Sequence, residues 1–247
     1  MAVAMNCIKN GWEFILFGNF SLLKQISSSR LGYDFQVREV FNDLIDASVD
    51  DLRFCTWHCN GVEDRQVALE KGFELVSLFN GAASLFYEST EKTQIHSLWL
   101  NQIEQKMDEN SQLFVPLAVS ENGNDCLKEH EENCKGDIIT HSIHVASLDP
   151  GIYLLLKYFD LELNWVTLYK ILESLEELAK QDSFNLGVAS QKRGAFTNTA
   201  NSYSLSGIES RHGFKVKKQN KSAVMTIQEA RSFIRELTKK YFQEKLR

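Results

Sequence analysis

Asn164-Trp165-Val166-Thr167-Leu168-Tyr169-Lys170-Ile171-Leu172-Glu173-Ser174-Leu175-Glu176-Glu177-Leu178 is the stretch on which the fold turns. Trp165, Leu168, Leu172, Leu175 and Leu178 recur at intervals of three and four, which stacks them on one face of an α-helix. Asn164 stands where a helix needs a side-chain oxygen for its first free amides. Just upstream, Asp149-Pro150 supplies a cap followed by a proline at the first helical position, so a short helix is expected over Ile152–Phe159. Downstream, a further helix is expected within 184–202. Thr226-Ile227-Gln228-Glu229 is then a capping box opening a last helix, with Ile227, Ala230, Phe233 or Ile234, Leu237 and Tyr241 on its buried stripe.

Towards the amino terminus the period changes. Gly11–Asn19 carries Trp12, Phe14 and Leu16 on one side, and Tyr33–Phe41 carries Tyr33, Phe35 and Val37 with Gln36 and Arg38 between them. That alternation of two belongs to strands with one buried face. Asp51–Trp57, Leu85–Tyr87, Ile95–Ile103, Gln112–Val119 and Asp137–Ala146 read as further strands. Asn60-Gly61-Val62-Glu63 reads as the cap of one main helix running to about Phe79, with Val62, Leu69, Phe73, Val76 and Phe79 on its apolar face and Asn80-Gly81 as its stop. The polar, acidic stretch 120–136 reads as an exposed loop.

Strand-period segments before Ser147 and helix-period segments after it predict an α+β protein. Residues 1–147 would form an acidic domain, a mostly antiparallel sheet with one main helix. Residues 148–247 would form a basic bundle of four or five helices.

The two halves differ in charge more than the net value of -6 suggests. Residues 1–147 carry 11 Lys+Arg against 22 Asp+Glu, a balance of -11, and 148–247 carry 16 against 11, a balance of +5. From Lys192 onward 13 basic residues face 4 acidic ones, a balance of +9, so an anionic partner or neutralisation by the acidic half are the two readings. A length of 247 residues with 43% hydrophobic side chains is ample for a globular core. No apolar run of about 18 residues offers a membrane span. Lys9, Asn10, Trp12 and Glu13 interrupt any signal-peptide core, which makes the cytoplasm the expected location and a membrane partner unexpected. Cys7, Cys55, Cys59, Cys126 and Cys134, an odd number in a long chain, are expected as reduced thiols.

The residues able to do chemistry are densest in Phe196-Thr197-Asn198-Thr199-Ala200-Asn201 and in Arg211-His212-Gly213. Together with Asn80-Gly81-Ala82-Ala83, Trp165-Val166-Thr167-Leu168-Tyr169-Lys170-Ile171 and Glu229-Ala230-Arg231-Ser232-Phe233-Ile234, they make the chain from about residue 75 resemble a widespread group of uncharacterised bacterial proteins. Its carboxy-terminal half is similar, in helix order and in a terminal Arg/His/Gly loop, to HEPN-type helical bundles, many of which belong to bacterial toxins and antiviral systems.

That resemblance implies a metal-independent endoribonuclease with His212 as acid/base, Arg211 stabilising phosphate charge and Asn201 orienting the substrate. The chain departs from the catalytic pattern in that no second His follows Arg211-His212, although pairing of two chains would bring a second His212. The residues by themselves favour a non-enzymatic module binding RNA or an acidic protein through Lys192, Arg193, Lys215, Lys217, Lys218 and Lys221. In a purely structural reading Arg211-His212-Gly213 turns a loop.

Cys55-x-x-His58-Cys59 brings soft ligands together, and Cys126-x3-His130-x3-Cys134, which would share one helical face, could be the second half of a zinc site, but it lies in the acidic loop and the spacings match no familiar finger, so no metal or cofactor is expected. His141 and His144 would point to opposite faces of a strand. No glycine-rich phosphate loop, nucleophile elbow or HExxH motif is present.

Overall fold

The structure, a computed structural model, describes residues 7–28, 32–40, 51–105, 124–214 and 223–247. Five strands form an antiparallel sheet in the order β2-β3-β1-β4-β5: β1 (Trp12–Phe17), β2 (Gln36–Val40), β3 (Asp51–Cys55), β4 (Gln94–Leu100) and β5 (Ile103–Gln105). Phe14 lies opposite Phe54 and Phe54 opposite Val37, so the alternating apolar residues come to one face. There the rings of Phe14, Phe54, Phe35 and Phe79 stack in sequence at centroid separations of 4.5, 4.5 and 5.2 Å. The other face carries charge: Glu13 accepts from Arg53 (2.9 Å) and pairs with Arg38, while the Arg53 guanidinium covers the Trp99 ring. A short helix, α1 (Phe20–Ser27), follows β1 and buries Leu22, Leu23 and Ile26.

Helix α2 (Arg65–Tyr87) is the main helix expected against the sheet, with two corrections. Its cap is Asp64, which accepts from the amides of Gln66 and Val67, rather than Asn60. Asn60 instead bonds Cys7, Lys9 and Asn10. The helix also continues through Asn80-Gly81 and takes in the strand expected at Leu85–Tyr87. The Asn80 amide is held on both sides by the backbone of Thr93, at 2.9 and 2.8 Å. At Gly81 the backbone around Leu156 comes so close that a Cβ would lie 2.0 Å from the Leu156 carbonyl oxygen. Both residues are therefore packing positions, and Glu88, at φ 56°, ends the helix.

Two further expectations fall to the acidic stretch and the segment after it. Asn124–Cys134 is a helix, α3, and Ile138–Leu148 is a helix, α4, where a loop and a strand were expected. In α4 the Asp137 carboxylate caps the amides of Ile139 and Thr140, and Ile139, Ile143 and Ala146 are buried at helical spacing. The strand expected at 112–119 lies outside the described residues.

The carboxy-terminal half is all-helical, as its pattern predicts. It comprises α5 (Pro150–Asp160, capped by Asp149), α6 (Trp165–Gln181, capped by Asn164), α7 (Ser190–Ala200), a single turn α8 (Tyr203–Ser206) and α9 (Ile227–Lys245), whose capping box is complete. One apolar cluster runs without interruption from Trp12 and Phe14 through Phe79 and Leu156 to Tyr241 and Phe242. Helix α2 is its middle layer, packing on the sheet, α4, α5 and α9. No helix among the described residues is long and apolar enough to cross a membrane.

Candidate functional site

The two cysteine and histidine clusters of the sequence meet in space around a carboxylate that neither contains. Asp34 lies in the loop before β2, between Tyr33 and Phe35, and is 1% exposed. Its Oδ1 accepts from the Trp57 indole N–H at 2.9 Å and lies 2.7 Å from His58 Nε2, both on the single 3-10 turn after β3. Its Oδ2 faces His130 Nε2 at 2.7 Å and His144 Nδ1 at 3.2 Å, and these two ring nitrogens are themselves 2.7 Å apart. The Tyr33 amide donates to His130 Nδ1 (2.7 Å), which leaves the proton of that ring on Nε2.

Helix periodicity puts these groups in place. Cys126, His130 and Cys134 follow at spacings of four and form the buried stripe of the otherwise charged α3. In α4, His144 is buried beside them while His141 lies on a neighbouring face. Among the described residues the ligand atoms of His130, Cys134 and His144 all lie within 4.8 Å of one another. Burial opposes the Asp34 charge, but hydrogen bonds from His130, His144 and His58 overcome it and hold the carboxyl well below its usual range. Burial pushes the Cys59 thiol up to about 12, and it does the same at Cys134, where the Asp34 charge adds to it.

Cys7 and Cys126 form a disulfide across 119 positions, which corrects the expectation of reduced thiols for this pair. The pocket of Ile8, Tyr33, Cys55 and Trp57 brings them together once α3 is helical. Cys55, Cys59 and Cys134 are buried thiols.

The residues singled out near the carboxyl terminus are arranged differently. The Arg211 amide donates to the Ala200 carbonyl (2.8 Å), which sets its loop beside Asn201. The Arg211 guanidinium lies 4.1 Å over the Tyr169 ring and pairs with Glu173 at 3.1 Å. His212 is exposed, with the Ser210 hydroxyl donating to its carbonyl oxygen. Asn201 Oδ1 is buried and has no partner among the described residues.

Within the Phe196–Ser202 segment, Phe196 enters the core. The Thr199 hydroxyl donates to Ala195 and accepts from the Met225 amide, and Asn198 donates to the Ala223 carbonyl. Arg193 makes two hydrogen bonds to Glu176, and Lys192 is exposed near the start of α7. Lys215, Lys217, Lys218 and Lys221 lie outside the described residues.

A cleft of about 530 Å³ opens between the end of α2, the loop 88–92, the loop 161–163 and the first turns of α9. Arg231 and Arg235 line it one helical turn apart. Arg231 Nε donates to the Leu163 carbonyl (2.9 Å) and Arg235 Nε to the Ser84 carbonyl (3.2 Å), with Glu88 at 3.4 Å from Arg235 Nη1. Burial lowers the Arg235 guanidinium below its ordinary value, against the pull of Glu88 and with the help of Arg231. Sequence reading missed both arginines, which belong to a capped amphipathic helix and look there like its solvated side.

No protein-family model, no curated protein and no solved structure matches this chain.

Proposed function

We propose that the chain is a non-enzymatic binding module that meets an anionic partner, RNA or an acidic protein, on its carboxy-terminal helical half. The observation that carries this reading is the Arg231–Arg235 pair. Each guanidinium is anchored through Nε to a backbone carbonyl, which fixes its stem and turns its fork to the cleft, where an anion would share the Arg235 fork with Glu88.

Other cations of this half are matched more closely than Arg235 is with Glu88: Arg193 with Glu176, Arg211 with Glu173, and Lys245 with Asp149 and Asp182. Much of the +9 excess is therefore answered within the molecule, and affinity rests on the cleft together with the exposed Lys192 and the lysines at 215, 217, 218 and 221. The nuclease reading implied by the HEPN resemblance asks Arg211 to serve a phosphate. Its stacking on Tyr169 and its pairing with Glu173 fit a residue that fastens the loop.

Fluorescence anisotropy with a labelled single-stranded RNA, at two salt concentrations, tests the proposal. Binding is expected to weaken steeply with salt, and Arg231→Ala with Arg235→Ala should weaken it and reduce the salt slope by about one unit per cation removed. Absence of binding at low salt removes RNA and leaves the acidic protein, sought by pull-down. RNA cleavage that disappears in His212→Ala at an unchanged Tm would replace this reading with the nuclease.

A further inference from the structure

We propose that Asp34, His130, Cys134 and His144 form a closed binding site for one divalent transition-metal ion, of the zinc type. The argument begins with protons. Asp34 Oδ2, His130 Nε2 and His144 Nδ1 form a triangle with sides of 2.7, 2.7 and 3.2 Å. With the Tyr33 amide donating to His130 Nδ1, the His130 proton sits on Nε2 and points into the triangle. If His144 Nδ1 is unprotonated, its lone pair faces the carboxylate oxygen. If it is protonated, two N–H groups meet at 2.7 Å. No placement of protons puts a hydrogen bond on all three sides, whereas a cation accepts a lone pair from each corner once the His130 proton has moved to Nδ1, on the side of the Tyr33 amide.

The donor set and the surroundings fit such an ion. Bonds of about 2.0–2.1 Å from a tetrahedral zinc ion place neighbouring nitrogen or oxygen ligands roughly 3.3 Å apart. The Asp34–His144 side of 3.2 Å meets that spacing, and the two sides of 2.7 Å must open on loading. Cys134 Sγ lies within 4.8 Å of both imidazole nitrogens and would close onto the ion as the fourth, soft ligand. Two neutral imidazoles, one thiolate and one carboxylate cancel a charge of +2, so the buried centre becomes neutral. The outer oxygen of Asp34 is taken up by Trp57 and His58, which turns Oδ2 inward as second-shell partners do.

Four protein ligands leave no position for substrate, so the ion would be structural. It would fasten the charged α3 to α4 and to the loop before β2. On loading, the Cys134 thiol loses its proton to solvent and His130 carries its proton on Nδ1 instead of Nε2. The Tyr33 amide, 2.7 Å from Nδ1 without the ion, would then face a second N–H and has to move away from it, a cost that the metal bonds must exceed.

Cobalt(II), added to chelator-treated full-length protein with its disulfide intact, is the probe. The expected result is one ion per chain, with visible bands of a tetrahedral ion, a near-ultraviolet thiolate band, and a shift of the Tyr33 amide resonance. Cys134→Ser should abolish the thiolate band. His58→Gln, which removes the imidazole held against Asp34 Oδ1, should weaken binding about 10–100-fold. His141→Ala, on the same helix but outside the triangle, should change nothing, and far-UV circular dichroism checks that each variant folds. The proposal is overturned by protein that takes up no cobalt, or by a spectrum that Cys134→Ser and His144→Ala together leave unaltered. An unmoved Tyr33 amide in wild-type protein at saturating cobalt overturns it without recourse to variants.

Discussion

The centre around Asp34 and the loop around Arg211 are both clusters of polar, chemically able side chains, and they differ in what each charge faces. At Asp34, four groups from three separate stretches of chain converge on one carboxylate with almost no solvent. Around Arg211 each cation answers its own carboxylate at the surface, Arg193 to Glu176 and Arg211 to Glu173, so charges are matched in pairs and exposed. The lesson is that density of reactive residues along the sequence and density in space are separate quantities. Phe196–Gly213 has the first, while Asp34 with its three histidines, drawn from positions 34 to 144, has the second.

The largest expected effect comes from breaking the convergent centre. Asp34→Ala removes the acceptor of Trp57, His58 and His130 together and strands them in the core, a change worth about 3–5 kcal/mol by analogy with other buried pairs that lose one partner. Arg211→Ala removes one exposed pair and one ring contact and should cost about 1 kcal/mol or less. Urea unfolding of the two variants checks the contrast, and equal losses would erase it.

The disulfide sharpens the same contrast with a smaller effect. It closes a loop spanning 119 positions and ties α3, through Cys126, to Cys7 next to the Asp34 pocket. Reduction, or the pair Cys7→Ser and Cys126→Ser, should lower stability by about 2–4 kcal/mol. Hydrogen exchange should rise first in α3 and around Asp34, leaving α6 and α9 protected. Uniform deprotection would mean that the two regions unfold as one.

Legibility followed the same division. Helices α5, α6 and α9 were readable because Asp149, Asn164 and Thr226 announce them and their apolar residues keep one period. Strands β1 and β2 were readable from alternation. Helix α4 was misread because Ile138, Ile139, Thr140, Ile143 and Val145 are β-branched, a local preference that the Asp137 cap and packing against α2 and α5 override. In α3 the stripe consists of two cysteines and a histidine instead of leucines, so ordinary apolar patterning does not register it. Its spacing of four was visible, and it was the one signal able to reveal the centre. Asp34 gave none, since a lone aspartate between Tyr33 and Phe35 looks like the solvated position of a strand. Only the fold brings it against residues as many as 110 positions away.

The smallest effect tests the surface side of the comparison. Lys245 Nζ lies 2.7 Å from Asp182 Oδ2 and 3.0 Å from Asp149 Oδ2, and the Tyr241 hydroxyl donates to Asp182 at 2.5 Å, so the end of α9 is tied to the end of α6 and the cap of α5. The hydrogen bond from Lys245, then that from Tyr241, holds the Asp182 carboxyl below its ordinary value, with burial opposing. A carboxyl depressed in the folded state stabilises above its unfolded value of about 3.9, and the contribution is lost as pH falls through the folded value. The Asp182 side chain is 35% exposed, so the pair belongs with surface ion pairs worth about 0.2–1 kcal/mol. Asp182→Asn should therefore lower stability slightly at pH 7, by an amount that shrinks in high salt and closes as the pH is taken below the ordinary carboxylate range and through the depressed folded value. Thermal unfolding of the two proteins at several pH values measures that gap. A gap that persists at low pH and in salt would assign the stabilisation to the neutral Tyr241 hydrogen bond, and the carboxy-terminal face would then owe less to paired charge than its arrangement implies.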